Sequence, residues 1–209
     1  MIVAVDGPAA SGKGTLSRSL AAHFGFDYLD TGRTYRGVAL ALESAGKGFE
    51  DEEAAIAVAR TLDFHALDDT RLGSPEVGEG ASRIAVMPAL RAVLVARQRA
   101  FANDAARGAV LDGRDIGTVV CPDAAVKLFI TASVEVRARR RALQAFGTAE
   151  GAAYTEQLES LRRRDARDEG RAASPLRPAP DAIRLDTSEM TVEDALKIAV
   201  GLVENARIR

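Results

Sequence analysis

A glycine-rich segment near the start, Gly7 to Thr15, constrains this chain more than any other feature. It follows a short apolar stretch, Ile2 to Val5, which is typical of a buried strand. After it, apolar residues recur at four-residue spacing, which indicates a helix. Backbone N–H groups converge in such a turn, and the helix N-terminus adds positive charge, so the segment forms an anion site. With Lys13 as a mobile cation, the sequence predicts a phosphate-binding loop.

The loop departs from the commonest pattern at one position. A Ser or Thr that binds magnesium usually follows the lysine directly, but here Gly14 intervenes before Thr15. We therefore expect no direct metal ligand from the protein, with Mg²⁺ held through phosphates and water near Thr15 and Asp112. The residues predicted to bind the nucleoside triphosphate are Gly7, Pro8, Ala9, Ala10, Ser11, Gly12, Lys13, Gly14 and Thr15.

Composition narrows the class of protein. The 209 residues are 47% hydrophobic and 28% charged, and this length and composition suit one globular domain. The net charge of -2 gives no general attraction to nucleic acid or membranes. The single cysteine, Cys121, excludes an internal disulfide framework. No apolar run would span a membrane, and a core strand begins the chain without a signal peptide, so we expect a cytoplasmic protein. We also expect a monomer.

Five short strand patterns alternate with helical ones. This alternation predicts a parallel sheet covered by helices on both faces, and ligands bind at the carboxyl ends of such strands. Three predicted strand ends carry polar chemistry: Gly7 to Thr15, Asp30 to Arg36, and Asp112 to Asp115. Thr31 is predicted to cap the helix after the second strand. The pattern fades between 63 and 80, which predicts a loop, and Pro88 should divide the helical stretch that Ser82 opens.

Arginines favour a kinase among the proteins that use such loops. Phosphoryl transfer needs positive charge around the phosphoryl oxygens, and guanidinium pairs bidentately with phosphate. Five arginines at loops or helix ends could supply it: Arg36, Arg114, Arg164, Arg167 and Arg171. The run from 162 to 171 has more arginines than acids, which favours an arginine-bearing lid over a set of helical ion pairs. The run from 137 to 141 is predicted to be a solvated helix face.

Two aspartates follow the third predicted strand. Asp112 stands where a carboxylate can hold the hydration shell of magnesium, and Asp115 lies within reach of an acceptor. A turn-capping role would explain one of these residues but is less suited to both.

Several motifs together resemble the bacterial cytidylate kinases, within the nucleoside monophosphate kinases, nearly from end to end. They are Gly12-Lys13-Gly14-Thr15, Asp30-Thr31-Gly32 with Tyr35-Arg36, the stretch from Ala81-Ser82 through Pro88 to Arg91, Arg97 to Phe101, Asp112 to Val120, and Arg164 to Asp168. The Asp112 to Val120 segment is the most specific. The resemblance implies the three-layer fold of the P-loop kinases: a five-stranded parallel sheet, a short acceptor-side insert and an arginine-rich lid.

The resemblance also implies a reaction and roles for residues. ATP with magnesium would phosphorylate CMP or dCMP. Arg36 and Arg114 would hold the acceptor phosphate beside Thr31. Ser82, Arg91 and Asp115 would read cytosine. The acceptor side would also include Arg167 and, at the ribose, Asp168. The predicted catalytic residues are Lys13, Arg114, Arg164 and Arg171.

The implied organisation is one domain over 1–209. Its core would comprise 1–30, 108–150 and 182–209, its acceptor-binding part 31–107, and its lid about 151–175. Three departures from the family pattern are Thr31 in place of a serine, a short excursion between 63 and 82, and Glu169-Gly170 within the basic run. The alternatives are a P-loop kinase for UMP, AMP or shikimate, a non-catalytic nucleotide-binding protein and, more weakly, a nucleic-acid-binding protein.

Overall fold

The computed structural model describes residues 1–64, 66–67, 70–171 and 174–208. The strands are β1 (Ile2–Asp6), β2 (Asp27–Asp30), β3 (Ala109–Gly113), β4 (Val126–Thr131) and β5 (Ile183–Asp186). The helices are α1 (Lys13–Phe24), α2 (Thr31–Ser44), α3 (Glu52–Thr61), α4 (Pro75–Ile84), α5 (Pro88–Asp104), α6 (Val134–Phe146), α7 (Gly151–Glu169) and α8 (Val192–Ile208). A 3₁₀ turn (Thr70–Gly73) precedes α4, and a π-helical turn (Ile116–Val120) follows β3.

The five strands form one parallel sheet in the order β2-β3-β1-β4-β5, which confirms the predicted fold class. β1 is central, with Val3 paired to Val110 on one side and to Val126 on the other. Alternate residues of β1 point to opposite faces of the sheet, and Val3, Ala4 and Val5 are all fully buried. Burial on both faces explains why this strand reads as a continuous apolar run.

The chain divides into two compact units. The first comprises 1–28 and 105–209, and the second comprises 29–104. In the first, α1 and α8 pack over the sheet around a core that includes Val5, Leu20 and Val203. In the second, α2 to α5 enclose a separate apolar core that includes Leu42 and Leu90.

Local capping sets several of the helix ends. Asp51 and Ser133 accept hydrogen bonds from backbone N–H groups in the first turns of α3 and α6. Thr191 does the same for Asp194 at the start of α8, at 3.1 Å. Gly25 ends α1 with a φ of 64°, a left-handed conformation that glycine adopts at low cost.

Two local predictions are wrong. Residues 75–84, expected to lie mostly in a loop, form α4, because Val77, Ala81 and Ile84 bury one apolar stripe. Ser82 therefore lies inside this helix and does not open one, although α5 does begin at Pro88 as predicted. Asp30, not Thr31, caps α2, with its side chain accepting from the backbone N–H of Arg33 at 3.2 Å.

The arginine run of α6 is also not a solvated face throughout. Arg137 is only 5% exposed, and Arg140 donates to the backbone carbonyl of Thr187 at 2.6 Å. Arg139 is exposed, as predicted. In the described part of the chain, no helix is both long enough and apolar enough to cross a membrane.

Candidate active site

The predicted phosphate loop leaves the buried end of β1 and leads into the N-terminus of α1. Gly7 has a φ of 154°, and a Cβ there would lie 2.1 Å from the carbonyl oxygen of Ile130, so no other residue fits without displacing the backbone. Gly12 and Ala10 also have positive φ values, of 89° and 61°. The curled backbone before Lys13 matches the arrangement in which N–H groups converge on an anion.

Side chains from distant elements hold two carbonyl groups of this loop. Arg137 donates to the carbonyl oxygen of Ala9 at 3.2 Å, and the hydroxyl of Thr187 donates to that of Ser11 at 2.9 Å. The Ser11 side chain is fully buried, and its Oγ has no hydrogen-bond partner among the described residues. A buried hydroxyl in that state fits a loop built to receive the oxygens of a phosphate chain.

Asp112 lies beside the phosphate loop at the end of β3. Its carboxylate is 2% exposed and accepts a hydrogen bond from the Tyr28 hydroxyl at 2.7 Å. A Cβ on Gly14 would lie 3.4 Å from Asp112 Oδ2. A carboxylate next to this loop suits the hydration shell of a hard cation such as Mg²⁺. Among the residues described, no group of three or more His, Cys, Asp or Glu side chains could hold a metal alone.

Asp6, which the sequence analysis did not single out, holds the segment that carries Arg114 and Asp115. Its two carboxylate oxygens accept from the backbone N–H groups of Ile116, at 2.7 Å, and Gly117, at 2.8 Å. Burial raises the pKa of Asp6 to about 6, with a further contribution from Asp115, while the two N–H groups and Arg114 oppose this rise. The sequence signal was an acidic residue ending an otherwise apolar strand.

Asp168 gathers three of the predicted arginines. Its carboxylate, 1% exposed, accepts from Arg114 Nε at 2.9 Å and from Arg171, and it lies 4.0 Å from Arg164 Nε. Burial alone would raise the pKa of Asp168, but the three guanidinium groups together hold it below its ordinary value. All three predicted catalytic arginines therefore converge on one buried carboxylate. Arg167, half-buried, precedes Asp168 on α7.

The second unit contains the other four predicted acceptor residues. Arg36 on α2 donates to the carbonyl oxygen of Leu72 and lies against α4, where a Cβ on Gly78 would be 3.3 Å from its guanidinium. Ser82 lies on α4 one turn beyond Gly78 and is 4% exposed. Arg91, 6% exposed, donates to the carbonyl oxygen of Ala85 and lies over the ring of Tyr35, the neighbour of Arg36.

A buried relay supports the start of α2, where the fourth acceptor residue, Thr31, lies. Gln98 donates to the hydroxyl of Thr34 at 3.1 Å, and that hydroxyl donates to the carbonyl oxygen of Thr31 at 2.7 Å. The side chain of Gln98 is 1% exposed. Gln98 lies within the Arg97 to Phe101 motif, but no role of its own is predicted from sequence, because a single amide in a helix has no local signature of burial.

Comparison with known proteins identifies the group to which this arrangement belongs. The family model described as cytidylate kinase matches residues 3–205. The chain belongs to the cytidylate kinase family. A cytidylate kinase of Rhizobium meliloti is 56% identical over 205 residues, covering 98% of this chain and 96% of that protein. One from Methylocella silvestris is 54% identical over 206 residues, covering 99% and 95%.

Solved structures support the fold alone. A protein of Eubacterium ventriosum superposes with a TM-score of 0.55 at 14% identity, covering 98% of each chain. A protein of Thermus thermophilus gives a TM-score of 0.50 at 20% identity, covering 98% of this chain and 96% of that one. The match to the family model, over residues 3–205, includes both the phosphate loop and most of α8, and the resemblance seen in the sequence extends over the same length.

Proposed function

We propose that this chain transfers the γ-phosphoryl group of ATP to CMP or dCMP, forming ADP and CDP or dCDP. Membership of the cytidylate kinase family over residues 3–205 supports this reaction. The geometric observation that carries the proposal is a phosphate loop in the same compact unit as three arginines gathered on one buried carboxylate. A loop for phosphate and a cluster of positive charge are the two requirements of phosphoryl transfer.

On the donor side, the backbone N–H groups of Gly7 to Thr15 bind the phosphates of ATP, and Lys13 neutralises the outer ones. Mg²⁺, when bound with the nucleotide, supplies further charge neutralisation. Asp112, beside Gly14, and the hydroxyl of Thr15 are the groups that would hold its hydration shell.

Arg114, Arg164 and Arg171 stabilise the charge that develops on the transferred phosphoryl group. Three guanidinium groups around one carboxylate leave a net positive charge, and Asp168 keeps them close despite their mutual repulsion. Pre-organised charge of this kind lowers the barrier without reorganisation during the reaction. No general base is required beyond correct positioning of the acceptor.

On the acceptor side, Arg36 and Arg114 bind the phosphate of CMP near Thr31. Ser82, Arg91 and Asp115 recognise cytosine, whose N4 amino group donates hydrogen bonds and whose N3 and O2 accept them. Arg167 and Asp168 contact the nucleotide, Asp168 at the ribose. The buried positions of Ser82, Arg91 and Asp115 support this assignment, because buried polar groups discriminate strongly against a ligand that leaves them unpaired.

We infer that the enzyme acts in the cytoplasm, as a monomer, on free nucleotides. A net charge of -2 gives no electrostatic attraction to nucleic acid. The arginine runs also lack the interleaved aromatic residues on which bases stack.

The test is ADP release from ATP and Mg²⁺, with CMP, dCMP, UMP, AMP and shikimate as single acceptors. We expect turnover with CMP and dCMP far above that with the other three. The Lys13→Ala variant, purified in parallel, should show no turnover with CMP or dCMP. This control excludes activity from a contaminating kinase. Faster turnover with another acceptor would overturn the assignment of the cytosine-binding residues. A lack of turnover with all five acceptors would overturn the proposal that the protein is a kinase.

The same assay tests cytosine recognition. Asp115→Asn replaces a carboxylate that accepts hydrogen bonds with an amide that also donates. We expect the ratio of kcat/KM for CMP to that for UMP to fall, because the amide no longer prefers the amino group of cytosine. An unchanged ratio would remove Asp115 from the recognition set.

A further inference from the structure

Arg137 joins three separate parts of the first unit, and neither its place in α6 nor the proposed reaction explains this. Its Nε donates to the carbonyl oxygen of Ala132, just beyond β4, at 2.9 Å. Its Nη1 donates to the carbonyl oxygen of Ala9 in the phosphate loop at 3.2 Å. Its two terminal nitrogens also form a bidentate ion pair with Asp165 on α7, at 3.1 and 2.6 Å.

The contacts of Arg137 are largely shielded from solvent, where the orientation of an ion pair matters most. The Arg137 side chain is 6% exposed and that of Asp165 is 17% exposed. Next to them, Ala9, Ala138 and Leu161 form one buried apolar cluster. A bidentate guanidinium–carboxylate pair fixes orientation as well as distance, and low exposure protects it from screening by salt.

Asp165 and Asp168 lie three residues apart on α7, so the rotation of this helix sets both at once. Asp165 contacts Arg137, which also holds the phosphate loop. Asp168 contacts Arg114 and Arg171 and lies 4.0 Å from Arg164. Loss of the contact between Asp165 and Arg137 therefore turns Asp168 and its arginines relative to the phosphate loop.

We propose that Arg137 is a positioning residue for phosphoryl transfer, which orients the arginines gathered on Asp168 relative to the phosphate loop through Ala9 and Asp165. The contacts that carry this role are with protein groups: the carbonyl oxygens of Ala9 and Ala132 and the carboxylate of Asp165. This inference rests on the proposed kinase function, and it adds a residue to which no role in the reaction has been given so far.

The kinetic test uses Arg137→Lys, which keeps the charge but cannot form the bidentate pair while also reaching Ala9. Asp165→Asn is the second variant, should the lysine variant fold poorly. Arg139→Lys, at an exposed position of the same helix, is the matched control. We expect kcat for CMP to fall on the order of 10- to 100-fold in both variants, since small displacements of catalytic groups have effects of that size. The KM for CMP should change less than kcat, and the control should match the wild type.

A double-mutant cycle with Arg164→Ala separates positioning from a general loss of stability. Arg137 pairs with Asp165, whereas Arg164 lies 4.0 Å from Asp168, and independent effects of the two substitutions on kcat would multiply. If Arg137 positions Arg164, the alanine substitution should lower kcat much less in the Arg137→Lys background than in the wild type. Multiplicative effects, or an unchanged kcat in both Arg137→Lys and Asp165→Asn, would overturn the proposal.

Hydrogen exchange gives a readout that needs no turnover. Arg137→Lys should speed amide exchange in the phosphate loop and in α7 together, because one side chain holds both. Faster exchange in only one of the two segments, or in neither, would overturn the proposal. A wild-type enzyme without CMP-dependent turnover would instead overturn the proposed function, while the exchange measurement would still show whether Arg137 links the phosphate loop to α7.

Discussion

At the scale of single residues, Asp6 is a buried carboxylate whose ionisation opposes folding. Its pKa is about 6 in the folded protein and close to 3.8 in the unfolded chain. Between these two pH values the folded state binds more protons than the unfolded state, so stability falls as pH rises. The stability that the protonated form contributes is complete below about pH 4 and is lost as pH rises through about 6.

Asp6→Asn should remove this dependence on pH. A difference of about 2 pKa units corresponds to about 3 kcal/mol, so the variant should gain about that much free energy of unfolding relative to the wild type between about pH 4 and pH 7. At low pH the variant should be the less stable protein, because the amide NH₂ cannot accept from the N–H group that it faces, whereas the hydroxyl oxygen of the protonated carboxyl group still can. Urea unfolding of both proteins across this range measures the difference, and a constant difference would contradict the assignment.

Asp6 and Arg137 also show why part of the site could not be predicted from sequence. The phosphate loop has a local signature, and so does the strand end that carries Asp112. Arg137 has none, because a run of arginines on a helix is usually solvated, and only the folded chain brings Ala9 and Asp165 to it. Its burial is a tertiary property.

At the scale of elements, α4 shows how packing outweighs local preference. Gly78 and Gly80 both lie in it, and glycine is unfavourable within a helix. The sequence from 63 to 80 therefore predicts a loop. The stripe of Val77, Ala81 and Ile84 was present but was obscured by these glycines. The helix after the phosphate loop, by contrast, has apolar residues at a regular four-residue spacing, and α1 lies where that pattern predicts it.

Gly78→Ala, in α4, should weaken acceptor binding without lowering the free energy of unfolding. Alanine favours a helix by up to about 1 kcal/mol over glycine, so the stability of the protein should not fall. The new Cβ would lie 3.3 Å from the Arg36 guanidinium, which must move. We therefore expect a KM for CMP raised severalfold and an unchanged KM for ATP.

Gly73→Ala is the matched control for this variant, since a Cβ there meets no described atom within 4 Å. Steady-state kinetics and urea unfolding of both variants give the two readouts. An unchanged KM for CMP in Gly78→Ala would show that the position of Arg36 does not matter for the acceptor.

At the scale of the whole molecule, the predicted ATP-binding residues lie in one unit, whereas the predicted CMP-binding residues come from both units. The phosphate loop and the arginines gathered on Asp168 lie in 1–28 and 105–209, whereas Thr31, Arg36, Ser82 and Arg91 lie in 29–104. Both sets of residues are predicted from the sequence, because their members lie at predicted strand ends or within the motifs of the family. How the sets act on one acceptor stays a prediction.

This division predicts different patterns of hydrogen exchange with each ligand. A non-hydrolysable ATP analogue alone should slow exchange in the phosphate loop and the first turn of α1, with α2 and α4 little changed. CMP alone should slow exchange in α2 and α4 of the second unit and also, in the first unit, just after β3 and in α7, which carry Arg114, Asp115, Arg167 and Asp168. At about 100 times the dissociation constant, a ligand stabilises the folded protein by about 2.7 kcal/mol, so amides that open only when the ligand has dissociated should exchange about 100-fold more slowly. Slower exchange in α2 and α4 with the ATP analogue alone, or no slowing there with CMP alone, would contradict this assignment of residues to the two ligands.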